Sequence, residues 1–208
     1  MISLFLNTAS NYLNLVLYKG EKDIDSIYLK LDKDLSKESL HKLKEILDRN
    51  NLNPSDIDEI ICVRGPGSFT GLRVGVTIAK IYAYFLNKNL YSVSTLDVLA
   101  TSAKCDIIVP LIDARRGFVY GAIYDKNYDI LMKEKYIKLD ELINEAEKYN
   151  QNIIYVSYDE FSGLNIKKYE PDNINLIKYM HKKIEDKISF IPTYLKRTEA
   201  EEKYDKNS

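Results

Sequence analysis

The sequence predicts a two-lobed mixed α/β fold. The first observation is a repeated order of elements, because three strands, a helix, a strand and a helix occur once in each half of the 208 residues. The second is composition, with 45% hydrophobic and 29% charged residues, as in domains with a buried core. The halves share negligible sequence identity. We place a boundary near residues 100–106, giving an N-terminal domain over 1–103 and a smaller C-terminal domain over 104–208.

Apolar periodicity defines the elements of the N-terminal half. Apolar runs separated by Asn and Gly predict a three-stranded antiparallel meander. Apolar side chains at three- and four-residue spacing predict helices on either side of a buried strand. In order, these elements are strands over 2–6, 13–18 and 24–31, a helix over 36–49, a strand over 59–63, a helix over 70–86 and a strand over 90–93.

The C-terminal half repeats this order after a short connecting helix over 95–103. The repeated order is that of half an actin-like fold or of a ribonuclease H-like unit, one candidate among several mixed α/β topologies. The predicted elements are strands over 107–112, 118–124 and 130–137, a helix over 139–149, a strand over 153–156, a helix over 174–184 and a terminal helix within 196–208.

Charge, cysteine content and hydropathy exclude several classes of protein. The net charge of −1 gives no bulk attraction for nucleic-acid phosphates, so autonomous non-specific binding is not expected. Cys62 and Cys105 lie far apart and form no CxxC motif, which argues against a disulfide framework or a zinc site. No stretch approaches the roughly 20 apolar residues of a membrane span. We therefore expect a cytoplasmic protein with no membrane partner.

A glycine-rich segment, GPGSFTGLRVG over 65–75, carries the most information. It joins a predicted strand to a helix N-terminus, where backbone N–H groups and the helix dipole favour anions. Gly65, Gly67, Ser68 and Thr70 are therefore candidates for a phosphate- or nucleotide-proximal loop. Neither common nucleotide fingerprint fits, because the Walker lysine is absent and Thr70 replaces the third glycine of GxGxxG. The alternative is a tight turn capped by Ser68 or Thr70.

Small residues recur every fourth position along the following helix, at Gly71, Gly75, Ala79 and Ala83. Glycine within a helix costs about 1 kcal/mol relative to alanine, so this stripe indicates close backbone approach by another helix. The neighbour is either part of the same chain or another subunit, and the sequence does not separate the two.

Other catalytic constellations are poorly supported. Two interpretations are open for Asp113, Arg115 and Arg116. They form either a phosphate contact or a hairpin turn in which Gly117 occupies the position that favours glycine, and we favour the turn. His41 and His181 fall in different predicted domains and are expected at the surface, so no metal site is predicted. A serine peptidase using Ser68 is not expected, because GxSxG is absent and no histidine lies nearby in sequence.

The segment GPGSFTGLRVG closely resembles the signature of the TsaB family, also called YeaZ. Four weaker matches stand in the family's order along nearly the whole chain. They are Leu6-Asn7-Thr8-Ala9-Ser10, Val93-Ser94-Thr95-Leu96, Ile112-Asp113-Ala114-Arg115-Arg116-Gly117-Phe118-Val119-Tyr120 and Pro192-Thr193-Tyr194-Leu195-Lys196-Arg197.

The resemblance implies a two-lobed actin-like (ASKHA, ribonuclease H-like) fold and a non-catalytic subunit. Such a subunit binds the catalytic paralogue TsaD through helices of its N-terminal domain. The complex, completed by the ATPase TsaE, threonylcarbamoylates adenosine 37 in tRNAs that read ANN codons. Contact with tRNA is expected only through the complex, and a homodimer is expected when the paralogue is absent.

The resemblance also implies where the sites lie. By analogy, Gly71, Arg73, Gly75, Ala79 and Ala83 form the partner interface, with the helix over 36–49 beside them. Asn7, Thr8 and Ser10 join the candidate nucleotide-proximal loop.

One departure from the family pattern affects the expected chemistry. Asn7 replaces the family's usual aspartate, and a neutral amide is a poorer ligand for hard cations. We expect no catalytic residue and no autonomously bound cofactor, with ATP or ADP a candidate only at the heterodimer interface. The alternatives are an actin-like ATP-dependent phosphotransferase for a small molecule and a homodimeric interaction module.

Overall fold

The computed structural model describes residues 1–31 and 35–196, and it contains two β-sheets. The first half follows the predicted order of elements, with a 3-10 turn at Pro54–Asp56 before the fourth strand. Its elements are β1 (Ile2–Asn7), β2 (Tyr12–Lys19), β3 (Lys22–Lys30), α1 (Leu35–Arg49), β4 (Glu59–Gly65), α2 (Phe69–Phe85), β5 (Asn89–Ser94) and α3 (Thr95–Ala100).

The second half repeats the order with two additional short strands. Its elements are β6 (Ile107–Asp113), β7 (Phe118–Asp125), β8 (Ile130–Lys138), α4 (Leu139–Glu147), β9 (Ile153–Ser157), β10 (Ile166–Lys168), α5 (Asn173–Tyr179) and β11 (Lys183–Ile184). The predicted terminal helix within 196–208 lies outside the described residues, apart from Lys196.

The first sheet has the order β11-β5-β4-β1-β2-β3. Strands β1, β2 and β3 form the predicted antiparallel meander, whereas β4 and β5 run parallel to β1. Parallel neighbours require crossover connections, which α1 and α2 provide. Residues of β1, β2 and β4 are buried almost without interruption, as expected for strands covered on both faces. Strand β3 alternates between partly buried and exposed residues, and it forms an edge of the sheet.

The second sheet has the order β10-β9-β6-β7-β8. Here β6, β7 and β8 form an antiparallel meander, and β9 runs parallel to β6. Helix α4 packs closely on this sheet, since a Cβ added at Gly121 would lie 2.5 Å from a methyl carbon of Leu142.

Each lobe has an apolar cluster of its own, and a third apolar cluster spans both lobes. Helix α3 supplies part of this third cluster, and all six of its residues are buried. Its side chains Leu96 and Leu99 belong to the same buried cluster as Phe5 of the first sheet and Ile108 and Val156 of the second. The lobes are therefore joined by packed side chains as well as by the chain itself.

The end of the chain departs from the sequence prediction. The helix predicted over 174–184 ends at Tyr179, because Met180 adopts an extended conformation and its side chain is buried. Strand β11 then pairs antiparallel with β5 of the first sheet. The chain thus returns to the N-terminal lobe, which a division at residues 103 and 104 does not anticipate.

The small-residue stripe of α2 packs inside the chain. Gly71, Gly75, Ala79 and Ala83 are all buried. A Cβ added at Gly71 would lie 2.0 Å from the Thr8 carbonyl oxygen, and one at Gly75 would lie 2.3 Å from Thr8 Oγ1. The expectation that these four residues contact a partner is therefore corrected, because their neighbour is the chain's own first lobe.

The change Gly71→Ala is expected to destabilise the fold. The added methyl group would overlap a backbone oxygen that cannot move without displacing the end of β1, and overpacking of this kind typically costs about 1–3 kcal/mol. Urea denaturation measures the change in the free energy of unfolding. The control Thr77→Ala, on an exposed position of the same helix, should alter it by no more than about 0.5 kcal/mol. Equal stabilities of the two variants would contradict this account.

Candidate functional site

The turn between β4 and α2 is held between two other backbone segments. Gly65 has φ +124°, and a Cβ there would lie 2.6 Å from the Thr193 carbonyl oxygen. At Gly67, a Cβ would lie 2.2 Å from the Ala9 carbonyl oxygen, which accepts a 2.7 Å hydrogen bond from the Ser68 N–H. Ser68 caps α2, because its hydroxyl accepts from the Gly71 N–H at 3.2 Å. The glycines are thus explained by close packing, and the predicted cap is confirmed.

A cleft of about 650 Å³ opens between the lobes next to this turn. Four of the predicted loop residues line it, namely Ser10, Gly67, Ser68 and Thr70. The remaining lining residues include Asn11, Tyr12 and Lys30 from the first lobe, and Asp113, Arg115, Tyr120, Tyr158, Asp159 and Lys168 from the second. Gly65, Asn7 and Thr8 are buried and do not line the cleft, which corrects their assignment to the loop.

Asn7 has a structural role at the junction of the lobes. Its side chain is 2% exposed, and its Oδ1 accepts from the Ala9 N–H at 2.9 Å. Its Nδ2 donates to the Tyr158 hydroxyl of the second lobe at 3.2 Å. Thr8 has a structural role within the first lobe, since its hydroxyl donates to the Gly71 carbonyl oxygen at 2.7 Å. Both ends of the Asn7 amide are therefore engaged by protein atoms.

The carboxyl groups of the cleft contact backbone N–H groups. Asp159 Oδ2 accepts from the Asp113 N–H at 2.9 Å, and Asp113 Oδ1 accepts from the Arg115 N–H at 2.8 Å. Burial raises the pKa of the Asp159 carboxyl, an effect that the Asp113 N–H opposes and the Asp113 charge reinforces. Each carboxylate thus uses one oxygen to accept a hydrogen bond that stabilises the conformation of its loop.

The segment from Asp113 to Gly117 is a hairpin turn, as favoured from the sequence. The φ angles are +68° at Arg115, +57° at Arg116 and +76° at Gly117. Positive φ is therefore adopted by the two arginines as well as by the glycine. The Ala114 N–H donates to the Phe118 carbonyl oxygen at 2.9 Å, closing the turn. Arg115 also lines the cleft.

A second polar contact between the lobes was not predicted from the sequence. The Tyr124 hydroxyl of β7 donates to Asp97 Oδ1 of α3 at 2.7 Å. Burial raises the pKa of Asp97, although the hydrogen bond from Tyr124 opposes the shift. The Thr95 hydroxyl donates to the Pro66 carbonyl oxygen at 2.5 Å, tying α3 to the glycine-rich turn. The capping pattern of Ser94 and Asp97 is visible in the sequence, but the distant partner of Asp97 is not.

The outer face of α2 is apolar and exposed. Four of its large side chains, Phe69, Ile81, Tyr84 and Phe85, are between 48% and 77% exposed. Beside them, α1 and α2 enclose an open groove of about 320 Å³. It is lined by Ser36, Leu40, Arg73, Val74, Thr77, Ile78, Ile81 and Tyr82. Of the predicted interface residues, only Arg73 is exposed here, with its guanidinium 3.8 Å from the centre of the Phe69 ring.

The histidines and cysteines are dispersed. His41 and His181 are both exposed, as predicted, and His181 Nε2 lies 2.9 Å from the Tyr128 carbonyl oxygen. Cys62 and Cys105 are free thiols, and burial raises the pKa of Cys62. Across residues 1–31 and 35–196, no three His, Cys, Asp or Glu side chains form a group suited to a metal ion. In the same ranges, no helix is long and apolar enough to span a membrane.

Known proteins with similar sequences indicate the family of this chain. A family model described as TsaD, tRNA N6-adenosine threonylcarbamoyltransferase, matches residues 31–202. The tRNA threonylcarbamoyladenosine biosynthesis protein TsaB of Bacillus subtilis is 27% identical over 164 residues, covering 76% of this chain and 72% of that protein. The chain belongs to the TsaB/YeaZ family. The resemblance seen in GPGSFTGLRVG is thereby confirmed.

Solved structures support the fold expected for a TsaB/YeaZ family member. YeaZ from Pseudomonas aeruginosa matches with a TM-score of 0.71 and 18% identity, covering 93% of this chain and 99% of that chain. A second P. aeruginosa structure, an uncharacterized protein with similarity to peptidase YEAZ, has a TM-score of 0.79 and 20% identity, covering 94% and 99%. The fold is the predicted two-lobed actin-like fold.

The change Tyr158→Phe is expected to weaken the junction between the lobes. It leaves the buried Asn7 Nδ2 without its acceptor, and an unsatisfied buried donor costs about 1–3 kcal/mol. Chemical denaturation measures the loss in the free energy of unfolding. The matched control is Tyr12→Phe, because Tyr12 stacks on Tyr28 through its ring. A loss for Tyr12→Phe as large as that for Tyr158→Phe would contradict the role given to the Asn7 hydrogen bond.

Proposed function

We propose that this TsaB/YeaZ family member acts in tRNA threonylcarbamoyladenosine biosynthesis as a non-catalytic subunit that binds and activates a TsaD-type catalytic paralogue. The observation that carries the proposal is the exposed apolar face of α2 with its groove against α1. The residue types that line this face differ from those of the interlobe cleft, where polar and charged side chains predominate.

The composition of the outer face supports a protein partner. Large apolar side chains that lie together on a surface are typical of binding sites, and aromatic residues and Arg are enriched at the centres of interfaces. Phe69, Tyr84 and Phe85 provide the aromatic groups, and Arg73 provides the guanidinium. Full burial of one such apolar side chain contributes about 1.5–3 kcal/mol. A partner helix with an apolar stripe and one acidic side chain fits this surface.

The contacts of the cleft support a non-catalytic role. Asn7 stands where the family usually has an aspartate, and both ends of its amide are bonded to Ala9 and Tyr158. The carboxyl groups in the cleft, Asp113 and Asp159, accept from backbone N–H groups of the second lobe. In this arrangement the first strand contributes no acidic group toward a metal-bound phosphate.

The finer assignments are extensions of the same proposal. The reaction of the complex takes place at adenosine 37 of tRNAs that read ANN codons, and a TsaE-type ATPase completes the assembly. A nucleotide, ATP or ADP, is held only at the heterodimer interface. In isolation the chain forms a homodimer through the same face.

Mixing the chain with the TsaD-type paralogue of the same genome tests the proposal. Light scattering should give the mass of a defined heteromer, and Ile81→Asp should weaken its formation at least tenfold, about 1.4 kcal/mol. Ile81 is suitable because it lies on the exposed face, whereas a change at the buried Gly75 would disturb the fold itself.

The matched control is Ile174→Asp on α5, since Ile174 is 63% exposed and Ile81 is 48% exposed. A heteromer that survives Ile81→Asp contradicts the assigned face. A homodimer that persists when the paralogue is added, with no heteromer formed, would favour the homodimeric interaction module. Saturable ATP turnover by the isolated chain would favour the phosphotransferase.

A further inference from the structure

The segment from Glu185 to Lys196, here called the strap, is anchored to the first lobe by three inward-facing residues. The Glu185 N–H donates to the Leu90 carbonyl oxygen at 2.9 Å, and its carboxylate lies 2.9 Å from the Arg64 guanidinium. Phe190 is buried in the core of the first lobe. The Thr193 N–H donates to the Arg64 carbonyl oxygen at 2.8 Å, and Arg64 Nε donates to the Thr193 hydroxyl at 2.7 Å.

Three apolar side chains of the strap are exposed, alongside the exposed polar residues Asp186 and Ser189. Ile188 is 70% exposed, Ile191 is 65% exposed and Tyr194 is 48% exposed. They recur every third residue, in phase with Glu185 but out of phase with Phe190 and Thr193. Because the anchors fix the strap's backbone, these three side chains are presented on a surface that is already ordered.

The strap contacts the chain at both ends of α2. At the C-terminal end of the helix, Lys187 Nζ donates to Asn87 Oδ1 at 3.0 Å. At the N-terminal end, the Tyr194 and Phe69 ring centres are 5.5 Å apart, and Arg73 Nε lies 3.5 Å from the Tyr194 hydroxyl. Arg73 also lines the groove between α1 and α2. The apolar row of the strap is therefore continuous with the face of α2.

We infer that the strap and α2 form one docking surface, and that the strap is the second half of the site for the same catalytic paralogue. This inference rests on the proposed function. It assigns Ile188, Ile191 and Tyr194 to the interface, and it makes Arg64 a positioning residue because Arg64 holds Glu185 and Thr193. The partner segment opposite the strap carries apolar side chains.

The test uses the full chain and the paralogue, with affinity measured by calorimetry. The double variant Ile188→Asp/Ile191→Asp should bind at least tenfold more weakly than the wild type, with an unchanged thermal midpoint when alone. Ile174→Asp is the control for adding charge at an exposed isoleucine. Wild-type affinity in the double variant overturns the inference.

The outcomes separate this inference from the proposed function. A wild-type chain that forms no heteromer overturns both. A heteromer that is lost in Ile81→Asp but unchanged in the strap variant overturns the inference alone. Hydrogen exchange of the unmodified proteins gives a second measure, because strap amides should exchange at least tenfold more slowly in the heteromer. Equal exchange rates with and without the partner overturn the inference.

Discussion

The architecture depends on the close contact between the end of β1 and the start of α2. Two glycines of the helix, Gly71 and Gly75, lie directly against Thr8, and a Cβ would overlap its carbonyl oxygen at Gly71 and its hydroxyl oxygen at Gly75. This contact fixes the rotation of α2 about its own axis. Because one side of the helix packs against the sheet, the opposite side, with Phe69 and Ile81, faces outward. The internal packing of the glycines thus determines which side chains of α2 are left exposed.

The lobes are joined by a combination of apolar packing and a few directed polar contacts. Helix α3 lies in the cluster that spans both lobes, while Asn7 with Tyr158 and Asp97 with Tyr124 link the two lobes across it. Hydrogen bonds between buried groups contribute modestly when formed, but an unpaired buried group is costly. These pairs therefore favour one relative placement of the lobes over many others. The cleft beside them owes its shape to that placement.

Much of the fold could be predicted from local pattern, whereas the site required long-range contacts. The periodicity of the helices, the meanders and the signature around Gly67 are all local in sequence, and they indicated the element order and the family. The stripe from Gly71 to Ala83 was interpreted as a place of close approach by another helix, whereas the segment against Gly71 and Gly75 is Thr8, directly after β1. Spacing alone cannot reveal which backbone approaches. Strand β10 was missed because three residues carry no measurable alternation. Strand β11 was missed because its pairing with β5 depends on residues nearly a hundred positions away.

The return of the chain to β5 has a consequence for how the halves can be separated. The sheet edge formed by β5 is covered by β11, and Phe190 fills space within the first lobe. A fragment ending at residue 103 would lack both, leaving unpaired N–H and C=O groups of β5 open to pairing with another copy. The two halves are therefore interleaved in sequence rather than arranged one after the other.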